Sequence, residues 1–144
     1  MSAVDPNCVF CAIAQKNGDA SLLYDDDFII AFMDIRPVYD GHLLVVPREH
    51  SMLLDEVEPL TLARVWEVVM LLNSALRESG LPCDGVNVFV ADGEAAGQEV
   101  PHVHVHLIPR TVGDRFGFKF PPGYGREPSR ERLDEQAAMI RAAL

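Results

Sequence analysis

Positive charge is scarce in this sequence. Its 144 residues include 12 lysines and arginines against 22 aspartates and glutamates, which gives a net charge of −10. General nucleic-acid binding depends on a basic surface that meets the phosphates, so this balance argues against that class of partner. The charge is uneven, with a net of −8 over residues 1–60 and +3 over residues 110–130. The second segment is either a solvated loop with scattered arginines or a cationic rim that favours an anionic ligand.

Cysteine is scarce too, and recognisable membrane or export segments are missing. The three cysteines, an odd number, do not suggest a disulfide framework. Residues 1–6 lack the basic and apolar regions of a secretory signal, and no stretch resembles a membrane span. We therefore expect a cytoplasmic protein without a membrane partner. The length favours a single domain over residues 1–144.

The pattern of apolar residues predicts an α+β fold with an antiparallel sheet. The predicted strands cover residues 22–24, 28–33, 42–46, 86–90 and 102–108. The predicted helices cover residues 8–15, 59–79 and a C-terminal stretch from residue 130. The long helix is apolar on more than one side, because Trp66 and Met70 widen its stripe. It therefore needs a partner besides the sheet, such as a second copy of the chain, unless one subunit buries it fully.

Three of the five histidines lie within residues 102–106, where they alternate with valine. On a strand, His102, His104 and His106 would share one face, about 6.6–6.8 Å apart from one to the next. One zinc ion held by all three is then improbable, since zinc–nitrogen bonds are only about 2.0–2.1 Å long. A neutral imidazole is instead a good nucleophile near neutral pH, and Gly97 lets the preceding loop approach a phosphate closely. The row suggests nucleotidyl transfer through a phosphohistidine intermediate, with a structural row as the alternative.

The run His102-Val103-His104-Val105-His106-Leu107 resembles the signature of the histidine triad (HIT) family. Further stretches agree with that family: residues 32–37, 41–47, 48–50, 92–98 and 108–110. The resemblance covers about residues 8–112 and leaves residues 113–144 as a C-terminal loop and helix. It implies a five-stranded antiparallel sheet with a long central helix and a C-terminal helix. It also implies a homodimer in which two sheets join into one of ten strands.

The resemblance also implies an activity. Family members bind purine nucleotides of the AMP type and act as hydrolases or transferases at the α-phosphate, on phosphoramidates or dinucleoside polyphosphates. By position, His104 matches the nucleophile that forms a nucleotidyl-histidine intermediate, and His106 matches a residue that contacts the phosphate. His42 matches a further active-site histidine. The implied nucleotide-binding residues include Asp34 at the ribose, Ile35 at the base and Gln98 beside the bridging or leaving-group oxygen. Glu99 and Val100 follow Gln98 as further candidates, and Asn87 is a candidate because its amide lies on the neighbouring predicted strand.

Two positions depart from the family pattern. Ala91 stands where familiar members carry an amide side chain near the phosphates, and Glu99 stands where they carry serine or threonine. Ala91 removes a hydrogen-bond donor, and a carboxylate at position 99 that faced the phosphate would repel it. The alternative to an enzyme is therefore a nucleotide-binding or partner-binding HIT module with little catalysis.

The spacing Cys8-x-x-Cys11 is that of half a zinc site. A redox role is less favoured, since no βαβ pattern surrounds the pair. The resemblance implies that His50 and His102 complete a Cys2His2 zinc site, which would be structural. A metal-free pair of thiols and a hydrolase with a catalytic metal are the alternatives.

Overall fold

The computed structural model describes residues 4–144, and in that range the chain forms three α-helices and five strands. The elements in chain order are α1 (Val9–Ala14), β1 (Leu22–Asp25), β2 (Ile29–Met33), β3 (Leu43–Pro47), α2 (Pro59–Glu78), β4 (Gly85–Phe89), β5 (Val105–Arg110) and α3 (Arg130–Arg141). The strands form one sheet in the order β1-β2-β3-β5-β4, and every neighbouring pair is antiparallel. The predicted α+β fold with a five-stranded antiparallel sheet is confirmed.

Strands β2 and β3, two of the three interior strands of the sheet, are buried on both faces, which explains why their sequences are apolar. Alternate residues of these strands point to opposite faces. One face packs against the apolar stripe of α2: Val65, Val68, Val69, Leu72 and Leu76. The other face packs against α1 and the residues around it: Cys8, Phe10, Cys11, Ile13 and Ala14. Each fully buried aliphatic side chain stabilises the fold by about 1.5–3 kcal/mol.

Helix α2 begins and ends where its sequence predicts. Pro59 occupies the first turn, and the Glu58 side chain accepts a hydrogen bond from the Thr61 backbone at 3.0 Å. Gly80, at φ 85°, follows its end. Trp66 is 43% exposed and Met70 65% exposed, so full burial of this helix within one subunit is wrong.

By length and composition alone α2 could cross a membrane, a test that the core helices of soluble proteins also pass. No membrane span was predicted from the sequence. The packing of one side of α2 against the sheet accounts for part of its apolar character.

The histidine row departs from the prediction of a strand over residues 102–108. β5 begins only at Val105, and its pairing with β3 ends at the Val45–Val105 pair. His102 and His104 therefore lie in irregular backbone before the strand, and of the three histidines only His106 is a strand residue. The backbone N–H groups of His102 and Val103 bond to Val100 and Ser51, at 2.8 Å each, and not to a neighbouring strand.

Residues 115–144 form a unit of their own, separate from the unit that ends at Asp114. Within it, Ser129 caps α3 by accepting a hydrogen bond from the Arg132 backbone at 3.2 Å. The rings of Phe120 and Tyr124 stack with their centroids 3.9 Å apart. Ile140 of α3 is 68% exposed. That one domain spans residues 1–144 stays a prediction.

Candidate active site

His104 is held as a neutral imidazole with one free nitrogen. Its Nδ1 lies 2.6 Å from the backbone oxygen of His102, an acceptor, so Nδ1 carries the proton and donates it. The lone pair is then on Nε2. Burial lowers the pKa of His104, against opposing effects of that hydrogen bond and of Asp34 and Glu99. At neutral pH the ring therefore presents an unprotonated Nε2, as a nucleophile requires.

His42 and His106 form a chain of hydrogen bonds that begins at the backbone of Val38. The Val38 N–H donates to His42 Nδ1 at 3.1 Å, so the proton of the neutral His42 ring is on Nε2. His42 Nε2 lies 3.0 Å from His106 Nδ1 and donates to it. The proton of His106 is therefore on its Nε2, which is left to donate to a ligand.

The surroundings of His106 keep its ring neutral and fixed. The ring stacks on Phe89 of the edge strand β4, with centroids 4.5 Å apart and planes 10° apart. Its centroid lies 4.8 Å from that of His104. Burial, together with the neighbouring His104 and His42 and against the effect of Asp34, lowers the pKa of His106 to about 4. His106 can thus stabilise a phosphate by one directed N–H group without an obligatory positive charge.

Asp34 lies beside this pair of histidines. Its Oδ2 is 3.5 Å from His42 Nε2, and its Oδ1 accepts a hydrogen bond from the Arg36 backbone at 2.8 Å. Burial lowers the pKa of His42, and Asp34 opposes that shift. The structure thus brings together Asp34 and the three residues that the resemblance implied to be catalytic.

A second cluster lies on the other side of His102. The Nδ1 of this residue lies 3.4 Å from Cys8 Sγ and 3.6 Å from Cys11 Sγ, while His50 Nδ1 lies 3.3 Å from Cys11 Sγ. All four donor atoms fall within 4.8 Å of one another. Tetrahedral zinc, with bonds of about 2.3 Å to sulfur and 2.0–2.1 Å to nitrogen, puts sulfur and nitrogen about 3.5 Å apart. This Cys2His2 cluster (Cys8, Cys11, His50 and His102) therefore fits zinc.

The groups around the Cys2His2 cluster also suit a metal. His102 Nε2 donates to the backbone oxygen of Pro47 at 2.8 Å, which leaves the Nδ1 lone pair directed at the sulfurs. His50 Nε2 lies 4.0 Å from a carboxylate oxygen of Asp5, and the Asp5 N–H donates to Cys11 Sγ at 3.4 Å. Backbone carbonyls and carboxylates commonly orient metal-bound histidines in this way.

Asp34, His42 and His106 also have donor atoms within 4.8 Å of one another. A metal there would have to bind His42 at Nε2 and move its proton to Nδ1. That proton would then face the Val38 N–H, which now donates to Nδ1 at 3.1 Å. The hydrogen bonds of this trio therefore suit substrate contacts better than metal ligation.

Two predicted nucleotide-binding residues have their side chains bonded within the protein. The Gln98 amide accepts from the Gly93 backbone and donates to the backbone oxygens of Met52 and Val100, at 2.8–3.0 Å. It would have to exchange one of these bonds to reach a substrate oxygen. The Asn87 oxygen accepts from Arg110.

The other predicted positions lie around the histidines or at the surface. Glu99 is exposed, but its negative charge partly opposes the lowering of the His104 pKa by burial. Val100 packs at the edge of the core that contains Phe10. Ile35 is 87% exposed, so it presents an apolar surface to solvent near Asp34. Ala91 is buried and offers no polar group. The predicted contacts of these residues with a nucleotide stay predictions.

Sequence reasoning missed three contributors to the site. Phe10 lies edge-on to His104, with centroids 5.1 Å apart and planes at 82°. Phe89 stacks on His106, and the Val38 backbone fixes His42. The position of Phe10 between Cys8 and Cys11 was the one available signal, because the backbone of a residue between two metal ligands is held in place by them.

The sequence profile of the HIT domain matches residues 15–113 of this chain. The chain belongs to the HIT family. A HIT-like protein of Borreliella burgdorferi is 41% identical over 114 residues, which cover 78% of this chain and 82% of that protein. Adenylylsulfatase HINT3 of Arabidopsis thaliana is 34% identical over 113 residues, which cover 78% of this chain and 57% of that protein.

Solved structures confirm the HIT fold. A Streptococcus mutans protein superposes with a TM-score of 0.90 and 33% identity, over 99% of this chain and 88% of that one. A zinc-bound HIT-family protein of Mycobacterium smegmatis superposes with a TM-score of 0.74 and 38% identity, over 96% of this chain and 98% of that one. The triad signature thus led to the right family.

Proposed function

We propose that this HIT-family protein is a hydrolase or transferase that acts at the α-phosphate of purine nucleotides, on phosphoramidates or dinucleoside polyphosphates. The observation that carries the proposal is the state of His104: a buried imidazole whose Nδ1 donates to the His102 carbonyl at 2.6 Å, with Nε2 unprotonated. The donor His106 lies beside it, with ring centroids 4.8 Å apart.

The reaction has two displacements at phosphorus. His104 Nε2 attacks the α-phosphorus, the new N–P bond forms, and the bond to the leaving group breaks, with the departing group taking up a proton from solvent. His106 Nε2–H donates to a phosphoryl oxygen, where charge develops. Water or another acceptor then attacks the phosphorus and gives up a proton to solvent, the N–P bond breaks, and the nucleotide leaves with His104 restored as a neutral imidazole.

The groups around the histidines suit a nucleoside. Asp34 offers carboxylate oxygens that can accept from the two ribose hydroxyls, next to His42. Ile35 gives an exposed apolar side chain for the base. The similarity to adenylylsulfatase HINT3, a protein named for action on an adenylyl compound, supports an adenine nucleotide as substrate. We place Asn87, Gln98, Glu99 and Val100 on the phosphate and leaving-group side.

The Cys2His2 cluster is proposed to bind structural zinc. Four protein ligands leave no open coordination position, so the ion would brace the fold rather than activate water. The zinc-bound neighbour from Mycobacterium smegmatis supports this assignment. Metal analysis should find about one zinc per chain, lost in Cys11→Ser and kept in Cys83→Ser, since Cys83 lies outside the cluster. A metal-free wild type would refute it.

We further propose a homodimer in the cytoplasm that has neither nucleic-acid nor membrane partners. The exposed apolar residues of α2, among them Leu60, Trp66 and Met70, need a cover, and β4 is an edge strand with unpaired backbone groups. A second copy covers both and extends the sheet to ten strands.

Turnover of adenosine phosphoramidate and of a dinucleoside polyphosphate tests the proposed activity. His104→Ala should abolish measurable turnover, because no other group replaces its Nε2. A wild type that converts neither substrate, or a His104→Ala variant at full rate, would refute the activity.

Glu99 and Ala91 motivate the rival function, a binding module. Tight AMP binding by calorimetry without turnover would favour it. Loss of activity with zinc, while the fold survives, would favour a catalytic metal.

A further inference from the structure

His102 takes part in both sites at once. Its ring, which is fully buried, turns Nδ1 toward Cys8 and Cys11 at 3.4 and 3.6 Å. Its backbone oxygen accepts the Nδ1–H of His104 at 2.6 Å. The bond that sets the tautomer of the nucleophile therefore ends on a residue whose side chain belongs to the Cys2His2 cluster.

Phe10 provides a second connection between the cluster and the nucleophile. It lies in α1 between Cys8 and Cys11. Its ring is edge-on to His102 at 5.9 Å and to His104 at 5.1 Å between centroids. An ion that fixes both cysteines also fixes this ring against the imidazole of His104.

The other histidine ligand is tied to the same segment of chain. The Val103 N–H donates to the backbone oxygen of Ser51 at 2.8 Å, and Ser51 directly follows His50. The backbone that follows the His102 carbonyl is thus bound to the segment that carries His50, and the His102 ring contacts the two cysteines. Holding those segments together limits the positions open to that carbonyl.

These connections depend on distant parts of the chain. Cys8 and Cys11 are 94 and 91 residues from His102 in sequence, and α1 is a helix of only six residues. Helices so short are marginal without tertiary contacts. Sulfur–nitrogen contacts at 3.3–3.6 Å are weak hydrogen bonds, whereas metal bonds would connect α1, His50 and His102 directly.

We propose that the Cys2His2 cluster positions the nucleophile: its metal fixes the His102 carbonyl and the Phe10 ring, and these two groups hold His104 with Nδ1 protonated and Nε2 free. His102 and Phe10 are then positioning residues. Without the metal the His104 ring exchanges between its two neutral tautomers, and one of them has no lone pair on Nε2. The kinetic part rests on the proposed function, and the tautomer part does not.

The direct test is nitrogen NMR at constant pH of protein labelled with 15N-histidine, with His104 assigned through His104→Gln. In the zinc-loaded wild type, His104 should give the separated signals of a protonated Nδ1 and an unprotonated Nε2. After chelation, or in Cys11→Ser, these signals should move toward a common averaged position. Cys83→Ser is the matched control, a cysteine outside the cluster, and should resemble the wild type. Circular dichroism verifies that each sample remains folded.

A second variant tests the positioning in protein that keeps its metal. Phe10→Leu should retain about one zinc per chain and still broaden or shift the His104 signals. With a substrate that the wild type converts, kcat should fall about tenfold, the low end of the effect of outer-shell partners at metal sites, with KM changed less than twofold.

Unchanged His104 signals after loss of zinc from folded protein would overturn the proposal. If chelation unfolds the chain, unchanged signals in zinc-loaded Phe10→Leu would do so. A wild type that converts no nucleotide but whose His104 signals respond to zinc would refute the proposed activity and support the positioning. If the wild type converts a nucleotide, but neither the His104 signals nor kcat changes when zinc is removed, the positioning alone is refuted.

Discussion

Replacement of His42 separates two hydrogen bonds that the structure assigns to different tasks. His42 Nδ1 accepts from the Val38 backbone at 3.1 Å, and His42 Nε2 donates to His106 Nδ1 at 3.0 Å. The first bond satisfies a backbone donor and orients the ring. The second fixes the proton of His106 on Nε2, where the proposed reaction needs it. Different amides can replace each bond singly.

The magnitudes follow from the bonds that each variant loses. In His42→Ala, the Val38 N–H is left without its partner, which should lower the free energy of unfolding by about 1–3 kcal/mol. The loss of the bond to His106, worth about 1 kcal/mol, corresponds to roughly fivefold in rate. Without a donor at Nδ1, the neutral ring of His106 is also free to exchange between its two tautomers, only one of which has the proton on Nε2. We expect kcat to fall about tenfold.

The two amide variants should divide these losses. His42→Asn keeps an oxygen near the position of Nδ1 for the Val38 N–H, so its unfolding free energy should approach that of the wild type while kcat stays low. His42→Gln keeps an N–H donor near the position of Nε2, so kcat should recover while stability remains reduced. Urea unfolding and turnover of adenosine phosphoramidate measure both quantities. Full activity in His42→Ala, or recovery of kcat by Asn rather than Gln, would refute the assigned tautomers.

Three further predictions concern stability and assembly. A Cβ at Gly41, where φ is +91°, would meet Leu81 and Pro109 at 3.0 Å each, whereas at Gly80, where φ is +85°, the space is open. Gly41→Ala should therefore lower the free energy of unfolding by about 1–3 kcal/mol more than Gly80→Ala does. Equal losses of the two variants in urea unfolding would contradict the steric argument. Burial holds the pKa of His106 at about 4, below its ordinary 6.5, among His104, His42 and Asp34. Between about pH 4 and pH 6.5 the unfolded chain therefore binds more protons than the folded chain, so the free energy of unfolding should fall as the pH is lowered through this range. The fall should be less steep in His106→Gln, and an equal slope in the variant and the wild type would contradict the prediction. Trp66→Asp with Met70→Asp should convert a dimer into monomers in sedimentation velocity, whereas Val112→Asp, at a position 92% exposed, should not; a dimer that survives the double change would refute the α2 interface.

The features that show as a pattern of residue types, such as apolar runs and the spacing of cysteines, were predictable from the sequence. The strands predicted over residues 28–33 and 42–46 are present as β2 and β3, and the helix predicted over residues 59–79 is present as α2 with bounds that agree within one residue. The spacing of Cys8 and Cys11 alone gave only half of a metal site, because the other two donors come from 39 and 91 residues farther along. The resemblance supplied His50 and His102, and the structure places all four donor atoms together.

The contacts that determine the chemistry of the histidines were not predictable, since they are made by backbone groups. The Val38 N–H and the oxygens of Pro47 and His102 fix three tautomers, and a backbone group leaves no trace in the residue type. Gln98 illustrates the opposite case. The resemblance implied a substrate contact for Gln98, which stays a prediction, and the structure bonds its oxygen and nitrogen to backbone groups of Gly93, Met52 and Val100.

The error in the strand prediction falls at the reactive residue, and the two facts are connected. On a regular strand the histidines would point the same way at even spacing, and the backbone around them would bond to the neighbouring strand. Here pairing with β3 ends at Val105, so the His102 oxygen accepts from the ring of His104 at 2.6 Å. The same departure turns the ring of His102 to the cysteines and leaves His104 within 4.8 Å of His106 between centroids. A strand continued to His102 would align the three rings and remove the bond that frees Nε2, so the irregular backbone before β5 is itself a requirement of the site.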